Sequence, residues 1–141
     1  MSKKTVYHFF RIFLGSVFAL SGGSKILHPG TFSFFISDIL HLDAQSAFIG
    51  AIIISIFELL VACLLMINRN TVLASSAASV VLLGSIAIGT ILIGSPLPCG
   101  CFGNLLQSQT DEYFLARNTS FLLIALVTLR FSSTFRYDQN I

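Results

Sequence analysis

The chain has 141 residues, of which 55% are hydrophobic and only 10% charged, with a formal net charge of +2. Soluble domains carry about 25% charged residues, so this chain has too few charges to cover a water-facing surface of its size, a reading its mean hydropathy of +0.87 supports. The small net charge says nothing about nucleic acid, but the sequence has no basic patch interleaved with aromatics and no Gly-rich phosphate loop, so no nucleic-acid partner is expected, and three cysteines are too few for a secreted disulfide scaffold.

A membrane-crossing helix needs about 20 mostly apolar residues. Thr5 to Ser24 meets that length, with Arg11 inside it. The preceding Met1-Ser2-Lys3-Lys4 resembles the start of a signal peptide. Arg11 breaks the apolar run and further spans follow, so an uncleaved first span is expected. This span ends in Ser21-Gly22-Gly23-Ser24-Lys25. After His28-Pro29-Gly30, Thr31 is placed to cap a short helix. Phe32, Phe35, Ile36, Ile39 and Leu40 repeat at helical spacing, while Ser33, Ser37, Asp38 and His41 fall largely on the other face. Thr31 to Leu42 therefore reads as an amphipathic helix on the outer leaflet.

Ala47 to Ile67 forms the second span, with one charge, Glu58; Asn68 to Asn70 is a tight turn. Thr71 to Gly94 forms the third, uncharged and rich in small residues such as Ala74, Ser75, Ala78, Ser79 and Gly84. Small residues let helices approach closely in lipid, which places this span centrally in the bundle. The loop from Ser95 to Glu112 carries Pro96-Leu97-Pro98-Cys99-Gly100-Cys101-Phe102-Gly103. Tyr113 to Phe131 forms the fourth span, with Arg117 one turn inside it. The expected fold is all-α: a single domain over residues 1–141, a polytopic four-helix membrane bundle with an outer-face amphipathic helix in its first external loop.

Lys3, Lys4, Arg69, Arg130 and Arg136 gather on one side, with Arg11 close by, against Lys25 and Arg117 on the other. The positive-inside rule then puts both termini in the cytoplasm and the Cys99/Cys101 loop outside. Tyr7, Tyr113 and Tyr137 fall near expected span edges, where aromatic belts form.

Cys99 and Cys101 are the first candidates for chemistry. Their outward side permits disulfides. A Cys-Gly-Cys disulfide closes a very small ring, and strained disulfides tend to be labile or catalytic. A structural disulfide, or two reduced thiols packed in a loop, remains an alternative reading. Metal binding completed by His28 or His41 is a third. Arg117 lies about 6 Å inside its span, at the expected height of the cysteine loop. A cation there favours a thiolate; a snorkelling anchor, or a partner for Asp111 or Glu112, is the alternative. Glu58 and Arg11 lie at similar depths, about 16 Å and about 20 Å from the outer ends of their spans. That match suggests an ion pair, either fixing helix register or serving a proton path or a quinone head. Lys25 either snorkels or faces the cysteine site. Cys63 lies deep and reads as a small packing residue.

Arg11-x-x-x-Gly15, Ser21-Gly22-x-x-Lys25, Glu58, Pro98-Cys99-Gly100-Cys101-Phe102-Gly103 and Arg117-Asn118 together resemble the methylamine-utilisation MauE family within the wider DoxX-like membrane proteins. The resemblance covers nearly the whole chain, and the Cys-x-Cys-Phe-Gly element is its most specific part. It implies a bacterial inner-membrane protein with redox-active outward cysteines. The implied activity is that of a thiol–disulfide oxidoreductase, and the partner a periplasmic thioredoxin-like or disulfide-containing protein. The plan also resembles the quinone-linked thiol oxidases of the DsbB and vitamin K epoxide reductase types, which makes a quinone the expected electron carrier. Those oxidases use more than one cysteine pair, and this chain offers one outward pair, so a relay through two pairs within the chain is excluded. A non-enzymatic metal-binding or assembly factor, and a structural subunit of a membrane complex, are the rival readings.

Overall fold

A computed structural model of the chain describes residues 3–93 and 112–138. Among them run α1 (Lys3–Leu27), α2 (Pro29–Leu40), α3 (Ala44–Ile67), α4 (Thr71–Ile91) and α5 (Glu112–Asp138). All but α2 supply segments long and apolar enough to cross a membrane: Lys4–Leu27, Ala44–Ile67, Thr71–Ile91 and Glu112–Ser132. The four expected spans are thus present, and no described residue lies in a strand.

The helix ends follow from local chemistry. Pro29 opens α2, since a proline in the first turn forgoes an N–H that has no partner there. This corrects the assignment of Thr31 as cap: the N-cap position belongs to His28, whose side chain makes no capping bond. His41 closes α2 in the left-handed region (φ 51°), its N–H donating to the Ser37 carbonyl. Asn68 and Asn70 adopt left-handed φ values of 62° and 50°, which asparagine tolerates better than most residues. The connection from α3 to α4 is therefore as tight as the sequence implies.

Asp43 caps α3, its carboxylate accepting from the Ser46 N–H at 3.0 Å. That backbone hydrogen bond, helped by the Ser46 side chain, holds the carboxyl below its usual range. A depressed folded-state pKa adds stability above the unfolded-state value and loses it as pH falls through the folded value. Asp43→Ala is therefore expected to lower the melting temperature at neutral pH and to make little difference at about pH 2. Thermal melts of the two proteins at both pH values check this.

The four long helices form a ring. α1 packs on α3 and α5, and α4 packs on the same two, while α1 and α4 do not adjoin. So α4 is one corner of the bundle and not its centre. Its small residues divide: Ala74, Ser75, Ala78, Ser79 and Gly89 are buried, whereas a Cβ on Gly84 would meet nothing within 4 Å. Leu14, Phe18, Val61, Ala62, Leu65, Ala74, Ala78, Leu82 and Ala125 make one core shared by all four helices. A second cluster joins Phe32, Phe35 and Ile36 of α2 to Ala47 and Ala51 of α3. The alanines let the aromatic residues sit close to the α3 backbone, so the apolar side of α2 is turned to protein where a bare leaflet surface was the expectation.

Two other expectations change. Tyr7 is buried, 6% exposed, and its hydroxyl donates to Asn68 Oδ1 at 3.4 Å, so it ties α1 to the end of α3 and does not join a belt. Tyr113 is exposed, as a belt residue would be. Cys63 is exposed on α3, so it is not a packing residue of the bundle interior.

Candidate functional site

α1 and α3 run antiparallel in close contact, and glycines set the distance. A Cβ on Gly22 would stand 2.9 Å from the Ser55 carbonyl oxygen and 3.2 Å from Glu58 Cβ; one on Gly15 would stand 3.1 Å from Met66 Cγ. This register puts Gly22 level with Ser55 to Leu59. Lys25, three residues on and so on the same helix face, meets Glu58. Lys25 Nζ donates to Glu58 Oε1 at 2.5 Å, with the two side chains 4% and 5% exposed. The ammonium also lies 4.6 Å from the Phe32 ring centroid, a distance at which the ring face attracts a cation.

The partner of Glu58 is therefore Lys25, which corrects the expected pairing with Arg11. Arg11 lies eleven positions from Gly22, about 16 Å along the helix axis. Depths counted from span ends mislead because α3 begins before the level at which α1 ends, and Ala47 and Ala51 pack on α2. Arg11 is buried all the same, 6% exposed, with its guanidinium 5.9 Å from the Tyr7 ring. Its Nε and Nη1 find no hydrogen-bond partner among the described residues.

Two cavities meet at the Lys25–Glu58 pair. The smaller, about 40 Å³, is lined by Ser21, Lys25, Glu58, Ser85 and Asn118 among others. Its volume is enough for a single water beside these polar side chains. The larger is a groove of about 540 Å³ with mainly apolar walls from α2, α3 and α4 and from Phe114 of α5. Phe32, Phe35, Phe57 and Phe114 give it flat aromatic surfaces, and among the described residues Lys25 and Glu58 are its only charged lining residues. Glu58 Oε2 is buried with no hydrogen-bond partner among the described residues.

Arg117 is half-buried, its guanidinium 5.7 Å from the Phe114 ring, which places it beside the groove wall. Asn118 is buried at the small cavity, and its side-chain amide donates to the Phe114 carbonyl at 2.9 Å. Ser21 and Asn118 stood in the motifs of the family resemblance, with no sign there that they face one cavity, and Ser85 had only its small polar character inside an apolar span. Gly50 and Gly84 line the groove with open space at their Cβ positions; Gly50 carried no signal, and Gly84 counted only as one of the small residues of the third span. Cys99 and Cys101 lie outside the described residues. Gly89 and Phe114, the groove residues that precede and follow their loop in the chain, are in contact range: a Cβ on Gly89 would stand 2.5 Å from Phe114 Cε1.

His28 and His41 stand at opposite ends of the 12-residue α2, about 20 Å apart at the helical rise. One ion cannot take both. Among the described residues, no three His, Cys, Asp or Glu side chains cluster as a metal site.

Four membrane-length helices around a buried lysine–glutamate pair, with a groove leading to it, define a multi-pass membrane protein with a polar site inside its bundle. The sequence profile of the family described as methylamine utilisation protein MauE matches residues 3–131. That is nearly the whole chain, and the chain belongs to the MauE family. No curated protein and no solved structure matches it.

Proposed function

We propose that the protein is a membrane thiol–disulfide redox protein whose centre is the Cys99/Cys101 pair. The pair sits on the periplasmic side of a bacterial inner membrane, with both chain termini in the cytoplasm, as the distribution of Lys and Arg suggests. The observation that carries the reading is the placement of the Cys-Gly-Cys loop between α4 and α5. The groove residues Gly89 and Phe114 flank that loop, and the groove ends at a buried ion pair.

In the exchange, a thiolate of one protein attacks a disulfide sulfur of the other, forming a mixed disulfide and releasing a thiolate. The second thiol of the attacking protein then resolves the mixed disulfide. One dithiol becomes a disulfide, losing two electrons and two protons, and the partner's disulfide gains them. The partner is a periplasmic thioredoxin-like or disulfide-containing protein, in keeping with the methylamine-utilisation role that the family description names. Arg117, in the second turn of the helix that follows the loop, is the cation proposed to favour the thiolate. A membrane quinone, when bound, accepts two electrons and two protons, which balances oxidation of one dithiol.

The test is the redox state of the pair in native membranes, with Cys63 replaced by Ala. Free thiols are blocked with an impermeant maleimide across a series of dithiothreitol and glutathione buffers. The expected result is reversible equilibration well above the range below about −300 mV that structural disulfides occupy. Cys99→Ser and Cys101→Ser should each abolish partner oxidation. A pair that never reduces would instead mark a structural staple. One that stays reduced and reacts only after chelation would mark a metal site.

A further inference from the structure

We propose that the groove between α2, α3 and α4 is the seat of a quinone, with its carbonyl-bearing ring against Lys25 and Glu58 and its tail along the walls. The inference rests on the redox reading above for the kind of molecule and adds the site. Four observations carry it. The volume, about 540 Å³, lies in the ordinary range for small-molecule sites. Ile53, Phe57 and Ile88 of its wall are exposed on the apolar outside of the bundle, so a molecule dissolved in the bilayer enters sideways. The phenylalanine walls suit a flat conjugated ring. The polar end is one lysine paired with one glutamate, neutral overall, which suits an uncharged head and disfavours a phosphate or a fatty-acid carboxylate.

The pair also matches both redox forms of such a ring. A carbonyl needs a donor, and the Lys25 ammonium has three N–H groups of which Glu58 Oε1 takes one. A ring hydroxyl needs an acceptor, and Glu58 Oε2 has no partner among the described residues. A site holding a lone cation would favour one form, while a donor beside an acceptor holds either.

The experiment uses the purified full chain in phosphatidylcholine nanodiscs, a photoreactive azido-ubiquinone as label and decylubiquinone as competitor. Labelled peptides are expected to come from the α2, α3 and α4 walls. Gly84→Phe introduces a ring into open groove space without a backbone clash, and Glu58→Gln removes the carboxylate. Gly84→Phe should weaken competition by decylubiquinone, and Glu58→Gln competition by its reduced quinol form, each about tenfold or more, with helix content checked by circular dichroism. Cys99→Ser with Cys101→Ser should leave labelling intact. Label found elsewhere, competition indifferent to Gly84→Phe, or equal displacement by oleate would overturn the site. Should the site fail while the cysteines still equilibrate, thiol chemistry stands without it. Should the groove label as expected while the cysteines never exchange, the site stands and the redox reading falls.

Discussion

Lys25→Met is expected to destabilise the protein by about 3–5 kcal/mol, the cost of leaving one member of a buried ion pair without its partner. Glu58 then holds a carboxylate in an apolar bundle or takes up a proton, and both of its oxygens lack the ammonium. Glu58→Leu leaves Lys25 in the same position. The double variant Lys25→Met with Glu58→Leu removes both charges and replaces them with side chains of similar bulk, so it should recover most of the loss. Equilibrium unfolding in mixed dodecyl maltoside and sodium dodecyl sulfate micelles gives all four values for a double-mutant cycle. A single variant as stable as the parent would mean that the pair is hydrated from the small cavity and contributes little. The recovered double variant also separates fold from chemistry: it should be a stable bundle that no longer holds the head of a groove ligand.

The second large effect concerns the seam between α1 and α3. Gly22→Leu is expected to cost about 3 kcal/mol, at the upper end for overpacking, because its Cβ would meet the Ser55 carbonyl at 2.9 Å. A backbone atom cannot swing aside as a side chain can, so the helices must separate, and the Lys25–Glu58 bond stretches with them. The neighbouring Gly23 has nothing within 4 Å of its Cβ position. Gly23→Leu should be nearly neutral or slightly stabilising, since leucine is the better helix former. The same unfolding assay compares the two. Equal effects would show that the loss comes from helix propensity or lipid contact and not from the seam.

The spans were legible because lipid imposes a length and a polarity that a sequence cannot disguise. Glu58 and Lys25 stood out singly for the same reason. Their pairing did not, because depth counted from the end of an apolar run assumes that runs begin level with one another. α3 starts where it packs on α2, before α1 ends, and that offset is a tertiary fact. The Ser-Gly-x-x-Lys ending of the first span did hold the missing information. Gly22 marks the close approach, and a lysine three residues later shares its face. Small residues in α4 gave the right physics and the wrong position, since a helix that packs closely on two neighbours needs them as much as one at the centre does. The groove was illegible: Gly50 and Gly84 look like any small residues, and only their surroundings make them walls of a space.

The ion pair also orders the birth of the protein. Lys25 precedes Glu58 by 33 positions, so the first helix is made and seated before its counter-ion exists. A lysine near the end of a span can wait with its ammonium at the headgroups. A glutamate in the middle of a span has no such refuge, and its insertion is tolerable because α3 is otherwise the most hydrophobic helix, with a hydropathy of 2.7 over its best window. The Lys25–Glu58 bond can form only once α3 has been made, so the polar link between the first two spans exists only after the carboxylate has entered the bilayer.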